Sequence, residues 1–216
     1  MKLEMSPAVR IKICGMTNAE DAKAAAELGA DAVGFVFAPS PRQVSPEKAR
    51  DIIMALPPLV QAVGVFVDED PEKVAATAVF CRLDVLQFHG KESPAYCRRF
   101  GKRVIKAVRV RNRTGLEDCS QYSDVVDALL LDTCVSGSGQ FGGTGITFDW
   151  NLSLDAKRYG SIILAGGLNQ DNVAVAVSVV KPYAVDASSG LEQGPGVKDH
   201  EKMARFIQAV HSAGRQ

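Results

Sequence analysis

Residues 10–21 read RIKICGMTNAED, a short apolar run followed at once by a cap signal and a helical segment. This passage decides between the two parallel α/β architectures open to the chain. A doubly wound dinucleotide fold carries three glycines in the turn after its first strand, and here there is one, Gly15. The open sheet is therefore the competitor and a closed barrel the preferred reading. Outward from this segment, apolar runs recur at residues 32–37 (AVGFVF), 61–67 (QAVGVFV), 85–89, 104–108, 128–132, 162–165 and 184–186, each leading toward a helix-length stretch. Runs such as AVGFVF, QAVGVFV and ALLL are unbroken rather than alternating, as expected of parallel strands covered on both faces. Eight βα units in 216 residues leave about 27 residues for each, enough for a barrel whose lower limit is roughly 200 residues. The expected fold is α/β, a single (β/α)8 TIM barrel with an eight-stranded parallel closed sheet, occupying residues 1–216 as one domain.

Helix starts are written in the chemistry that satisfies free backbone N–H groups. Thr17 with Glu20 three residues on predicts a capping box, and Ser45-Pro46, Asp70-Pro71 and Ser93-Pro94 each place a cap before proline. Residues 114–122 and the stretch after Phe148 are weaker helix candidates.

Composition narrows the function classes. A chain of 216 residues buries on the order of 70% of its unfolded surface and needs neither disulfide nor metal to fold. Twenty-five basic residues offset twenty-five acidic ones, so no global field would hold nucleic acid or an anionic membrane. Five cysteines without a CxxC pair suit a reducing compartment, and His89, His200 and His211 lack zinc-ligand spacing. The most apolar uncharged stretch, residues 52–67, is interrupted by Pro57, Pro58 and Gly64, and residues 1–10 carry no signal-peptide core. The expectation is a cytoplasmic protein with no nucleic-acid or membrane partner and no metal.

In a barrel the chemistry sits at the carboxyl ends of strands. Period-two alternation in RIKIC puts Lys12 and Cys14 on one face and Ile11 and Ile13 on the other, so Cys14 faces the barrel mouth beside Gly15. Inert packing is the bland alternative for a cysteine there. The run ALLLDT stops at Asp132, which caps the following loop, pairs with a buried cation such as Lys12 or Lys106, or acts as a general acid or base. The last two strands end in LAGGLNQDN, with Gly166 and Gly167, and DASSGLEQGPG, with Ser188, Ser189 and Gly190. Glycine-rich turns at these two ordinal positions form a phosphate site in many such barrels. Arg42, in FAPSPRQVSPEKA, could meet a planar carboxylate with its guanidinium fork or lie in solvent. Residues 134–150, long and full of glycine, have the composition of a flap over a site, and Gln87 and His89 share an inward face suited to support rather than catalysis.

These segments in this order resemble the phosphoribosylanthranilate isomerase family of tryptophan biosynthesis. The resemblance is carried by KICGMT (residues 12–17), GFVFAPSPRQVS (34–45), VGVFV (63–67), LQFHG (86–90), LLLDT (129–133), GGTGITFDW (142–150), LAGGL (164–168) and VDASSGLEQGPGVKD (185–199), and it covers nearly the whole chain. Phe88 stands where leucine is common, on the outward face. The resemblance implies an Amadori rearrangement with Cys14 as general base and Asp132 as general acid. It also implies Arg42 on the anthranilate carboxylate, and Gly166, Gly167, Ser189 and Gly190 on the phosphate. No cofactor is expected, because the iminium formed on ring opening is an electron sink within the substrate. A free thiol needs nearby positive charge to act as a base, and Lys12 on the same face is a candidate source.

Two readings compete. The related histidine-pathway barrel performs the same rearrangement on a phosphoribosyl-formimino substrate, but typically places an aspartate where Cys14 stands. A non-catalytic phosphate-binding barrel is the other, weighed against by Cys14, Asp132 and Arg42 falling in three strand-end positions. The expected partner is a phosphorylated small molecule; a homodimer and association with other tryptophan-pathway enzymes stay open.

Overall fold

The structure, a computed structural model, describes residues 8–109, 113–132 and 150–214. Eight strands, β1 (Arg10–Cys14), β2 (Ala32–Val36), β3 (Gln61–Phe66), β4 (Val85–Phe88), β5 (Arg103–Arg109), β6 (Ala128–Asp132), β7 (Ile162–Ala165) and β8 (Ala184–Ala187), pair in sequence order. Every pairing is parallel, and β8 returns to β1 in the register Arg10↔Ala184 to Ile13↔Ala187, which closes the barrel. The expected closed sheet is what forms, and the open-sheet competitor is excluded. Strand positions agree to within a residue or two: Phe37, Val67 and His89 fall just past their strands, and β5 is longer at both ends than expected.

Alternation along the strands divides the apolar residues into two cores. The outer one lies between strands and helices and takes Ile11, Ile13, Val33, Phe35, Leu86, Phe88, Leu129, Leu131 and Val185. The inner one fills the barrel with Val63, Val85, Ile105, Ala107, Ala128, Leu130, Ile163, Ala165 and Ala184. Phe88 is outward as expected, with Tyr96 edge-on at 5.2 Å between ring centroids and 85° between planes. Because Ile11 and Ile13 join the outer core, Lys12 and Cys14 are left facing inward.

The helices are α1 (Ala19–Leu28), α2 (Pro46–Met54), α3 (Pro71–Phe80), α4 (Pro94–Cys97), α5 (Arg113–Ser120), α6 (Trp150–Ala156), α7 (Val173–Val180) and α8 (His200–Ala213). Ser45, Asp70 and Ser93 cap α2, α3 and α4 with proline at the first turn. The first helix departs from expectation. Its cap is Asn18, which accepts from the Asp21 amide at 2.8 Å, while the Thr17 hydroxyl donates to the Gly196 carbonyl. Thr17 is drawn into a contact 179 residues away, so the cap moves one position along. On α8, Met203, Phe206, Ile207 and Val210 form a buried stripe at helical spacing, each side chain contributing about 1.5–3 kcal/mol on burial. Between β8 and α8 the chain makes a short 3-10 turn (Ser189–Leu191) and an antiparallel hairpin of β9 (Glu192–Gly194) and β10 (Val197–Lys198). Most of the glycine-rich stretch expected to form a flap, with Cys134 and the motif at 142–149, lies outside the described residues.

Candidate active site

The inward faces of β1, β4, β6 and β8 carry the polar residues from which the site is built. Lys12 donates to Asp186 at 2.9 Å, with side chains 4% and 10% exposed. Sequence reasoning offered Lys12 or Lys106 as partners for Asp132; the structure corrects this. Lys12 is taken by Asp186 on the adjacent strand, and Lys106, which alternation turns outward, is taken by Glu92 at 3.1 Å. Asp132 instead meets His89, whose Nε2 is 3.4 Å from Asp132 Oδ2. Gln87 lies behind, with Nε2 3.3 Å from His89 Nδ1, and its buried Oε1 has no hydrogen-bond partner among the described residues. Gln87, His89 and Asp132 thus form one line running to the carboxyl end of β6.

Cys14 ends β1 on the same inward side, and Gly34 on β2 makes room for it. A Cβ added at Gly34 would stand 2.7 Å from the Cys14 sulfur. Burial pushes the Cys14 thiol up, the Lys12 ammonium pulls it down, and the Asp186 carboxylate pushes it up again; Lys198 adds a weaker downward pull. Burial prevails, and the thiol lies above its ordinary value. The expected action of Lys12 on Cys14 therefore has the right sign but does not outweigh burial. Lys12 is itself held above an ordinary lysine: burial would lower it, but Asp186 and Cys14 reverse the direction.

Arg42 is drawn to Cys14 by a glycine. Gly15 has φ +82°, and a Cβ there would stand 2.6 Å from Arg42 Cδ and 3.0 Å from Ser188 Oγ. Neither sequence reading of Arg42 anticipated its partner within the chain. Its Nε and Nη2 donate to Glu192 Oε1 and Oε2 at 2.7 and 2.6 Å, and Glu192 also accepts from Lys198 Nζ at 2.8 Å. Burial would raise the Glu192 carboxyl, but hydrogen bonds from Arg42 and Lys198 hold it below the usual range. Glu192, Lys198 and Asp186 escaped sequence reasoning. The signals available were the inward parity of Asp186 and the hairpin pattern of EQGPGVK around Gly194 and Gly196.

The two glycine-rich turns meet. Gly166 and Gly167 have φ of +89° and +69°, and Asn172 Nδ2 donates to the Gly167 carbonyl at 3.0 Å. A Cβ on Gly190 would collide with the Leu168 backbone carbonyl, so only glycine lets the turn after β8 approach the turn after β7. Ser189 sits exposed at the start of the 3-10 turn beside them. Cys14, Arg42 and Ser188 thus gather on one arc of the rim, His89 and Asp132 on another, with Gly166, Gly167 and Gly190 clustered at the loops of β7 and β8. Among the described residues no group of three or more His, Cys, Asp or Glu could hold a metal, and no helix is long and apolar enough to cross a membrane.

A protein-family model described as N-(5'phosphoribosyl)anthranilate (PRA) isomerase matches residues 11–209. The chain belongs to this family. The N-(5'-phosphoribosyl)anthranilate isomerase of Geobacter sulfurreducens is 51% identical over 200 residues, 92% of this chain and 97% of that protein. A crystal structure of phosphoribosyl anthranilate isomerase in complex with reduced 1-(o-carboxyphenylamino)-1-deoxyribulose 5-phosphate superposes with a TM-score of 0.85 at 45% identity, covering 94% of this chain and 99% of that one. A Thermotoga maritima structure, described as monomers of a dimeric phosphoribosylanthranilate isomerase, has a TM-score of 0.83 at 44% identity, covering 94% and 98%.

Proposed function

We propose that this chain carries out the reaction for which its family is named, converting N-(5'-phosphoribosyl)anthranilate to 1-(2-carboxyphenylamino)-1-deoxyribulose 5-phosphate, with Cys14 and Asp132 moving the protons. The observation that carries this reading is the placement of a thiol and a carboxylate at inward-facing carboxyl ends of β1 and β6, the thiol beside the buried Lys12–Asp186 pair and the carboxylate beside half-buried His89. Asp132 protonates the furanose ring oxygen; the ring C–O bond breaks and an iminium forms in conjugation with the aromatic ring. His89 Nε2 lies close enough to stabilise the carboxylate that results. The iminium acidifies the C–H of the adjacent sugar carbon, Cys14 as thiolate takes that proton, and the enolamine tautomerises to the ketose.

Arg42 receives the anthranilate carboxylate, while Gly166, Gly167, Ser189 and Gly190 hold the phosphate. We read residues 1–216 as one barrel domain acting in the cytoplasm, and a second copy of the chain, or another enzyme of tryptophan biosynthesis, as its candidate protein partners. Cys14 favours the anthranilate substrate over the histidine-pathway one, which typically pairs with an aspartate at that position.

The test is the loss of phosphoribosylanthranilate fluorescence on adding purified protein without metal or nucleotide. Wild type should consume the substrate, and Cys14→Ala and Asp132→Asn, each folded, should be slower by about 10²–10⁴-fold. Folded wild-type protein that leaves the fluorescence unchanged would refute the reading, and full activity in Asp132→Asn would remove the acid assignment alone.

A further inference from the structure

The hairpin after β8 holds a carboxylate between two cations. Glu192 and Lys198 face each other directly across β9 and β10, and Lys198 Nζ also donates to the Ser188 carbonyl at 3.2 Å. The backbone of Glu192 is pinned by Lys202, whose Nζ donates to its carbonyl oxygen at 2.9 Å. The Glu192 side chain is 5% exposed and that of Arg42 23%, so the shared carboxylate is enclosed while the arginine side chain still reaches the surface.

Guanidinium geometry makes this pairing informative. Glu192 engages Nε and Nη2, the side edge of the planar group. An arginine has five N–H donors, and a side-on carboxylate uses two of them, leaving the end edge formed by Nη1 and the second N–H of Nη2. That edge can accept a second planar carboxylate in bidentate fashion, in an orientation the first one dictates. The charges agree: one carboxylate between two cations leaves a net positive site that favours an anion.

We propose that Glu192 is a positioning residue that locks the plane of Arg42 so that its end edge receives the aromatic carboxylate of the substrate. This rests on the reading of Arg42 given above. Gly15 completes the arrangement by letting the Arg42 stem cross β1 beside Cys14, which ties the position of the carboxylate to that of the base.

The experiment compares Glu192→Gln, Glu192→Asp, Arg42→Ala and the Arg42→Ala/Glu192→Gln double variant, on the natural substrate and on its N-phenyl counterpart lacking the carboxylate. In Glu192→Gln an amide NH2 faces a donor of Arg42 or Lys198, so KM for the natural substrate should rise about 10-fold with kcat within about twofold. Glu192→Asp, which keeps the charge but reaches less far, should fall between and serves should the glutamine variant fail to fold. In the Arg42→Ala background the Glu192 substitution should add nothing, and on the N-phenyl substrate it should leave KM unchanged. A lower KM in Glu192→Gln would overturn the proposal by showing that Glu192 competes with the substrate for Arg42. Equal losses on both substrates, or additive losses in the double variant, would overturn it in favour of a purely structural role. If Arg42→Ala itself leaves KM unaltered, the reading of Arg42 fails, and the positioning role with it.

Discussion

Lys12 and Lys106 are both strand lysines with buried side chains, each paired with a carboxylate, yet they do different things. Lys106 points out of the barrel into a saturated network. Its Nζ donates to the carbonyls of Phe88, Gly90 and Ala107 at 3.3, 2.8 and 3.0 Å and to Glu92 at 3.1 Å. Glu92 in turn accepts from the Asp68 amide at 2.9 Å and from the Gly90 amide, and the Tyr122 hydroxyl donates to its backbone carbonyl. Every donor on Lys106 is used. Lys12 points into the barrel, where its partners are Asp186 and the sulfur of Cys14. A saturated buried pair holds loops in place, whereas one that shares its charge with a thiol shifts that thiol's hold on its proton.

The largest effect that would test this difference is on stability. Lys106→Met strands the Glu92 carboxylate in a site 1% exposed and should cost about 3–5 kcal/mol in denaturant unfolding, with the kcat of the folded fraction little changed. A loss of turnover without a loss of stability would erase the distinction. Next comes the pH dependence of Cys14. Because its thiol lies above the ordinary value, activity in wild type should still be rising as pH passes through the usual thiol range. Lys12→Met removes the charge that favours the thiolate, so the limb should move to higher pH; a limb displaced upward by about one pH unit leaves about a tenth of the thiolate, and of the rate, at neutral pH. Asp186→Asn removes a charge that disfavours the thiolate and should move the limb the other way. Alkylation of Cys14 at a series of pH values, read by mass spectrometry, checks both signs, and limbs that move in the same direction would contradict the electrostatic account. The smallest effect is steric. Gly34→Ala brings a methyl group to 2.7 Å from the Cys14 sulfur and should lower kcat severalfold while costing about 1–3 kcal/mol by overpacking. An unchanged kcat would mean that the placement of the sulfur is not critical.

Much of this is legible in the sequence, for reasons particular residues make plain. Residues 10–14, 128–132 and 162–165 match their strands end to end, because ALLL and IILA are the apolar runs of a parallel strand covered on both faces and RIKIC shows the alternation of a strand whose inward face is polar. The inward direction of Cys14, Gln87, His89 and Asp132 follows from alternation alone. Ser45, Asp70 and Ser93 are readable as caps because a cap is a local contact spanning two or three residues. Thr17 carries the pattern of a cap without being one, because its hydroxyl bonds to Gly196 and no local pattern reports so distant a partner.

The βα repeat, the parity of each strand and the residues at the strand ends are written locally, since they depend on periodicities of two and 3.6 that neighbouring residues carry. Which side chains pair across the barrel is set by the closed fold. Lys12 finds Asp186 across 174 positions and Arg42 finds Glu192 across 150, because closure brings β8 beside β1 and folds the hairpin after β8 toward the loop that follows β2. The balance of burial against charge at Cys14 belongs to the same level, because desolvation depends on everything packed around the sulfur and on no sequence neighbour alone.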